Sequence, residues 1–233
     1  MKKNIFILFF CALPSFLLAT QPLVFSTSTG SSSSIYSIPI LKEAYQRLGI
    51  ELIVKEYPSK RSLLSSNSGI IDGELHRISG LQDKFPNLRE IKVPIVKLEW
   101  VIYSKKYNFV VKGVESIKPY SISTRRGIIR GEKIVSKAKH HLLVNSWPQV
   151  LLTLEKDRVD LALISKLTAL KILKDNPMEV HVLKPPLDEI YLYHYLHKKN
   201  EKLIPKITKV LKEMESAGEI QGIWDQVEKN LIK

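Results

Sequence analysis

Two patterns of apolar residues alternate along the chain. In short stretches such as 51–57 apolar residues alternate with polar ones, as in a half-buried strand; in longer stretches such as 38–48 they recur at helical spacing. This alternation of strand and helix patterns predicts an α/β fold with mostly parallel sheets. The predicted strands are 23–26, 51–57, 70–75, 88–94, 98–103, 120–124, 141–144, 159–164, 179–183 and 190–197, and the predicted helices are 38–48, 60–67, 131–139, 147–154, 166–173, 207–214 and 220–231.

Local signals set the predicted ends of several elements. Ser59 is predicted to cap the helix that follows it. Ser146 and Gln149 have the spacing of a capping box. The run Lys184-Pro185-Pro186 is predicted to end the second α/β series, because proline interrupts regular structure. The strands on either side of this run are therefore predicted to be separate.

The first residues have the pattern of a secretory signal peptide. A basic start, Met1-Lys2-Lys3, precedes an apolar run that reaches Ala19 and is interrupted by Pro14. This run is shorter than the roughly 20 residues that a membrane-spanning helix needs. Residues 1–19 are therefore predicted to be a cleaved signal peptide, with an uncleaved N-terminal anchor as the alternative. No later run is apolar enough to span a bilayer, so we expect no stable membrane insertion after cleavage.

Composition and charge narrow the function classes. The 36 Lys and Arg residues outnumber 23 Asp and Glu, which gives a net charge of +13 and favours anionic partners. These cations are scattered and lack interleaved aromatics, so nucleic acid is ranked last. The single cysteine, Cys11, lies in the predicted signal peptide, which excludes disulfides from the remainder. The sequence has no ordered zinc-ligand set and no Gly-x-Ser-x-Gly motif, so we expect no cofactor, no metal and no enzymatic activity.

Four segments, in this order and spacing, resemble a known family. They are 61–64 with 71–73, 123–127, 154–162, and the tail 193–220, which is the most specific. The chain is similar in these segments to bacterial extracellular solute-binding family 3, the group of amino-acid-binding-protein-like periplasmic proteins. The resemblance covers nearly all of the chain after residue 19.

The resemblance implies a two-lobed type II periplasmic binding fold with two hinge crossovers, near Tyr103 and Ile190. Lobe 1 would comprise residues 20–104 and 189–233, and lobe 2 residues 105–188. The implied function is capture of a small polar solute, anionic or amino-acid-like, by hinge closure, and its delivery to an ABC-type permease by a periplasmic monomer. A sensor that presents its ligand-bound state to a membrane receptor is the alternative, and an enzyme on the same fold is a weaker one.

Four candidate ligand contacts in lobe 1 follow from the family's pattern, and Arg61 and Glu74 are added as nearby charged groups. Tyr36 is expected either to stack on a ligand or to pack on its own loop. His76, Arg77 and Ser79 match positions where the family contacts ligand, and Glu74 would be the acidic group nearby. Arg77 would bind a carboxylate or phosphate through its guanidinium fork, or would be a solvated surface charge.

In lobe 2 the candidates lie where strands give way to helices. Arg125, Arg126 and Gly127 precede a predicted helix, where free backbone N–H groups and the helix dipole favour an anion. The family usually follows this glycine with Thr or Ser, but Ile128 stands here. Ser165 takes the place of the Asp that pairs with a ligand ammonium in amino-acid binders, or it is the N-cap of the next helix. These departures favour an anionic or neutral solute.

Overall fold

The computed structural model describes residues 21–232, so the predicted signal peptide, residues 1–19, lies outside the described residues. The described part contains eight strands and seven α-helices. They are β1 Leu23–Ser28, α1 Ser34–Gln46, β2 Leu52–Tyr57, α2 Ser59–Asn67, β3 Gly73–Ile78, β4 Leu88–Ser104, β5 Ser121–Arg125, α3 Ile129–Val135, β6 His140–Val144, α4 Trp147–Glu155, β7 Leu161–Ser165, α5 Lys166–Asp175, β8 His181–His197, α6 Ile204–Ser216 and α7 Glu219–Ile232.

All eight strands form one sheet in the order β2-β1-β3-β8-β4-β7-β5-β6. The pairs at both ends are parallel, as the alternation of strands and helices predicts. The centre is antiparallel, because β8 pairs with both β3 and β4, and β4 pairs with β7. The two central strands, β4 and β8, have 17 residues each and run through both halves of the sheet. The α/β class is confirmed.

These two long strands correct two predicted interruptions. The strands predicted at 88–94 and 98–103 are one strand, β4, and the run Lys184-Pro185-Pro186 does not end a strand but lies within β8. The β4–β8 register passes from Trp100–Asp188 directly to Ile102–Leu183, so the prolines lie in a bulge. A bulge frees these residues from ladder pairing, which is where a sheet tolerates proline.

Three further boundaries show which local signals hold. The capping box of Ser146 and Gln149 is confirmed at the start of α4. Ser59 is wrong as a cap: it is the first residue of α2, and its hydroxyl accepts a hydrogen bond from Arg77 Nη1 at 3.1 Å. The third strand begins at Gly73 rather than residue 70, because Asp72 exchanges two 2.8 Å hydrogen bonds with Val24 and holds the chain in a turn beforehand.

The apolar core consists of three clusters. One lies between the sheet and helices α1, α6 and α7, and it includes Leu167 from α5. The other two cover opposite faces of the sheet around β7, in which Leu161 and Leu163 face one cluster while Ala162 and Ile164 face the other. This alternation buries both faces of β7, as a strand between two helical layers requires. Within residues 21–232 no helix is long and apolar enough to cross a membrane.

Candidate functional site

A serine-rich loop, residues 28–34, joins β1 to α1 at the carboxyl ends of β1 and β3. The side chains of β3 hold this loop from one side. His76 contacts Ser31 through Nε2 at 3.0 Å and Ser37 through Nδ1 at 2.8 Å, and Arg77 Nη1 donates to Ser28 at 2.9 Å. The loop is therefore fixed to the sheet by two residues that the sequence marks as candidates.

Glu74 of β3 is the buried centre of a polar cluster beside this loop. Its side chain has no exposed surface, and its Oε2 accepts from Arg77 Nε at 2.7 Å. Its Oε1 accepts from three hydroxyls at 2.7 to 3.0 Å, those of Ser26, Ser62 and Ser66. A buried carboxylate needs such partners, because an unpaired charge in the interior is very costly. Glu74 is thus fully engaged inside the protein.

Arg77 is mostly committed to this cluster, with one donor left over. Its side chain is only 15% exposed, so the alternative prediction that Arg77 is a solvated surface residue is wrong. Its Nε and Nη1 are engaged with Glu74, Ser28 and Ser59. Its Nη2 is buried and has no hydrogen-bond partner among the described residues. Buried donors are normally paired, so this nitrogen is an exception within residues 21–232.

His76 is a neutral bridge rather than a charged ligand group. Burial, and secondarily the Arg77 charge, lowers the pKa of His76 to about 3. One ring nitrogen of a neutral imidazole donates a hydrogen bond and the other accepts one. A hydroxyl can do either, so the contacts with Ser31 and Ser37 suit the neutral form. His76 therefore fixes the position of the serine-rich loop.

A cavity of about 370 Å³ lies on the other side of this loop. Arg125, at the end of β5, forms part of the cavity wall. Its guanidinium lies 5.7 Å from the centre of the Trp147 ring, a cation–π distance. Ser32 Oγ lies 3.4 Å from Thr168 Oγ1 and so joins the loop to α5. The lining residues are Gly30, Ser32, Arg125, Trp147, Pro148, Thr168, Lys171, Ile172, Asp175 and Asn176.

Arg125 also has an unused donor. Its Nε is buried without a hydrogen-bond partner in the part of the chain that the structure describes. Among the described residues, three buried side-chain nitrogens lack a hydrogen-bond partner: Arg77 Nη2, Arg125 Nε and Trp100 Nε1. Two of the three are thus guanidinium nitrogens, Arg77 Nη2 on β3 and Arg125 Nε on β5. An anion is the natural acceptor for such donors.

The turn after Arg125 differs from the predicted anion cradle. The backbone N–H of Gly127 donates to Glu132 Oε1 at 2.6 Å, so a carboxylate of the chain already occupies it. Arg126 is exposed, and its Nη2 donates to the carbonyl of Leu143 at 3.3 Å. The expectation of a free backbone N–H at this turn is therefore wrong for Gly127. Of the three candidates at this turn, only Arg125 lines the cavity.

Ser165 starts α5 as an N-cap, which confirms one of its two predicted roles. Its hydroxyl accepts from the Thr168 N–H at 3.3 Å and donates to Thr168 Oγ1 at 2.6 Å. The next residue, Lys166, places Nζ 3.1 Å from Glu99 and 2.7 Å from Glu228. Burial alone would lower the pKa of Lys166, but these two carboxylates raise it, so Lys166 stays charged and joins α5 to β4 and α7.

Of the ten predicted site residues only Arg125 lines this cavity, and three of the others contact distant parts of the protein. Tyr36 is buried against α7, where its ring packs on Trp224 and its hydroxyl donates to Glu228 at 2.9 Å. Arg61 is exposed, with its guanidinium 5.2 Å from the ring centre of Tyr57. Ser79 is also exposed, and it donates to Glu90 at 3.0 Å. The Tyr36 ring thus packs on α7 rather than on its own loop.

Nine of the ten residues that line the cavity were not predicted as site residues, Arg125 being the exception. Trp147 was predicted only as an apolar residue of a helix, and Thr168, Lys171 and Asp175 were not predicted to line a site. A usable signal exists for Trp147, because the capping box fixes it as the first residue of α4, at the same edge of the sheet as Arg125. The α5 residues lie one turn apart along a helix whose start is predictable.

Comparison with known proteins agrees with this architecture. No protein-family model matches the chain. An uncharacterized protein of Shewanella oneidensis is 25% identical over 187 residues, which span 77% of this chain and 70% of that protein. The L-cystine solute receptor of Neisseria gonorrhoeae, in its unliganded open conformation, aligns with a TM-score of 0.71 at 18% identity, covering 90% of this chain and 93% of the receptor.

A histidine kinase sensor domain, itself described as similar to periplasmic binding proteins, aligns with a TM-score of 0.63 at 11% identity. The alignment covers 88% of this chain and 95% of that domain. At these identities the similarity establishes the fold. The chain has the two-lobed α/β fold of the type II periplasmic binding proteins.

Proposed function

We propose that this protein captures a small anionic or amino-acid-like solute in the cleft between lobe 1, residues 20–104 and 189–233, and lobe 2, residues 105–188. The observation that carries the proposal is Arg125, which lines the 370 Å³ cavity together with Gly30 and Ser32 of the serine-rich loop and whose Nε has no hydrogen-bond partner among the described residues. A solute anion bound between Arg125 and the serine-rich loop would contact both lobes and hold them together. Ligand contacts with both lobes shift the equilibrium towards the closed state.

The cavity lining supports this class of solute. Its volume of about 370 Å³ is within the usual range for small-molecule sites. Arg125 and Lys171 supply two positive charges and Asp175 one negative charge. An organic anion fits this balance, and so does an amino acid whose carboxylate faces Arg125 and whose ammonium faces Asp175. Trp147 offers an apolar surface to the remainder of the solute.

The proposal extends to location and partner. A cleaved signal peptide at residues 1–19 would place the protein in the periplasm, where it would deliver the solute to an ABC-type permease as a monomer. The similarity to the L-cystine receptor supports a role in binding rather than catalysis. The similarity to the histidine kinase sensor domain supports the second candidate, presentation of the ligand-bound state to a membrane receptor.

A thermal-shift screen of the purified protein tests the binding function. The panel contains amino acids, organic acids, phosphate esters and oligopeptides. At a hundred times its dissociation constant a ligand stabilises the folded state by about 2.7 kcal/mol, which in a chain of this size raises Tm by about 5 to 11 °C. A rise with one anionic or zwitterionic class, absent in Arg125→Ala, supports the proposal. Ligands that are exclusively cationic, or a rise unchanged in Arg125→Ala, contradict it.

A deletion strain distinguishes the two roles of a binding protein. Loss of uptake of the identified solute supports delivery to a permease. Normal uptake with loss of the transcriptional response to the same solute supports the sensor role.

A further inference from the structure

A second cavity, of about 650 Å³, lies in lobe 2 and shares no residue with the cavity at Arg125. Its walls are α3, the 3-10 helix Gly113–Ile117, and the bulged part of β8. The bulge matters, because it directs Leu187 out of the ladder and opens space beside α3. The lining residues are Val114, Glu115, Lys118, Arg130, Lys133, Ile134, Lys137, Leu187 and Asp188.

The charges of this cavity do not cancel. Glu115 is paired with Lys118 at 2.6 Å, and Asp188 accepts a two-pronged contact from Arg130, with Nη2 2.7 Å from Oδ1. Both carboxylates of the lining are thereby neutralised. Lys133 and Lys137, exposed at the end of α3 and in the turn that follows, have no ion-pair partner within residues 21–232. Two ammonium groups thus remain at the rim.

The floor of the cavity is apolar. Val114, Ile134 and Leu187 are each partly buried and pack on the edge of a lobe 2 core cluster. All three line the cavity together with the two lysines. A purely inorganic anion would leave this apolar surface in water, whereas an uncharged apolar molecule would leave the lysines unpaired.

We propose that this cavity is a binding site for a small organic anion that combines an apolar, ring-sized body with a carboxylate, sulfonate or phosphate group. The body packs on Val114, Ile134 and Leu187, and the anionic group accepts hydrogen bonds from Lys133 and Lys137. A volume of 650 Å³ is in the range of small-molecule sites. The site is independent of the solute cleft.

Titration of the isotope-labelled protein with phenyl phosphate, followed by NMR, tests this inference. We expect saturating shifts of the backbone amides in α3 and in Gly113–Ile117, and at least about tenfold weaker binding of inorganic phosphate and of benzyl alcohol, each of which lacks one half of the probe. Saturating shifts confined to the region around Arg125, or equal affinity for inorganic phosphate, would overturn the proposal.

A matched pair of charge-reversal variants completes the test. Lys133→Glu with Lys137→Glu is expected to weaken phenyl phosphate binding by about tenfold or more, the loss expected when hydrogen bonds to charged groups are removed. Lys209→Glu with Lys212→Glu changes net charge equally at another, shallower cavity on α6 and is expected to leave the affinity unchanged. All four lysines are exposed, so both variants should fold. Equal weakening in both would show an effect of net charge alone and refute the site.

Discussion

Removal of the Arg77 guanidinium while Glu74 stays in place is expected to destabilise the protein strongly. Glu74 has no exposed surface, and the 2.7 Å contact with Arg77 Nε supplies its only positive partner among the described residues. Removing one member of a buried ion pair typically costs about 3 to 5 kcal/mol, because a charge remains buried without compensation. In Arg77→Ala the three serine hydroxyls on Oε1 remain, so we expect the lower end of this range, about 3 kcal/mol.

Thermal unfolding followed by circular dichroism measures this loss. For a chain of this size, about 3 kcal/mol corresponds to a fall in Tm of about 6 to 12 °C. Arg47→Ala is the matched control: Arg47 likewise forms ion pairs, with Glu43 and Glu219, but on the exposed surface, where ion pairs stabilise little. Its Tm should stay close to that of the unmodified protein.

A double variant separates loss of the pair from loss of packing. Glu74→Gln with Arg77→Met removes both charges and keeps most of the volume, and it should be more stable than Arg77→Ala. If Arg77→Ala unfolds at the same temperature as the unmodified protein, the buried-pair reasoning is refuted. If it also loses affinity for a solute found in the screen, the guanidinium serves the ligand alone.

The remaining predictions concern the cleft, the α5 junction and pH. Arg125→Ala should weaken an anionic solute by about tenfold or more in calorimetric titration, since it removes charged hydrogen bonds, while the exposed neighbour variant Arg126→Ala should bind normally. Lys166→Met leaves two carboxylates facing each other without their shared cation and should lower the urea midpoint; an unchanged midpoint would contradict its role as a junction. Burial lowers the pKa of His194 to about 4, so its neutral form contributes stability above pH 6.5 that is lost as pH falls from 6.5 to 4. Stability measured across this range should fall less steeply in His194→Gln, and exposed His141→Gln is the control.

The fold was predictable where the ends of an element are set by residues close to it in sequence. The capping box at Ser146 and the apolar run of β7 depend on neighbours in sequence, and both are correct. The prolines of β8 mislead because the bulge that accommodates them is set by the partner strand β4, which lies far away in sequence. The start of β3 is shifted because Asp72 is held by Val24.

The candidate site was predictable in residue type more than in role. His76, Arg77 and Arg125 do lie at the carboxyl ends of strands, where the cavity and the serine-rich loop are. The partners of Glu74 come from β1 and α2, and sequence spacing gives no information on which hydroxyls converge there. The Gly127 N–H is taken by Glu132 from the following helix, a choice between an internal and an external anion that only the fold decides.

The position of β8 in the sheet has a consequence for the order of folding during synthesis. β3 and β4 follow each other in sequence, yet β8 lies between them and pairs with both. Residues 181–197 must therefore be available before β3 and β4 can be joined in one sheet. Pairings between such distant segments form slowly. During synthesis from the N-terminus, the middle of the sheet therefore stays unpaired until most of the chain has been made.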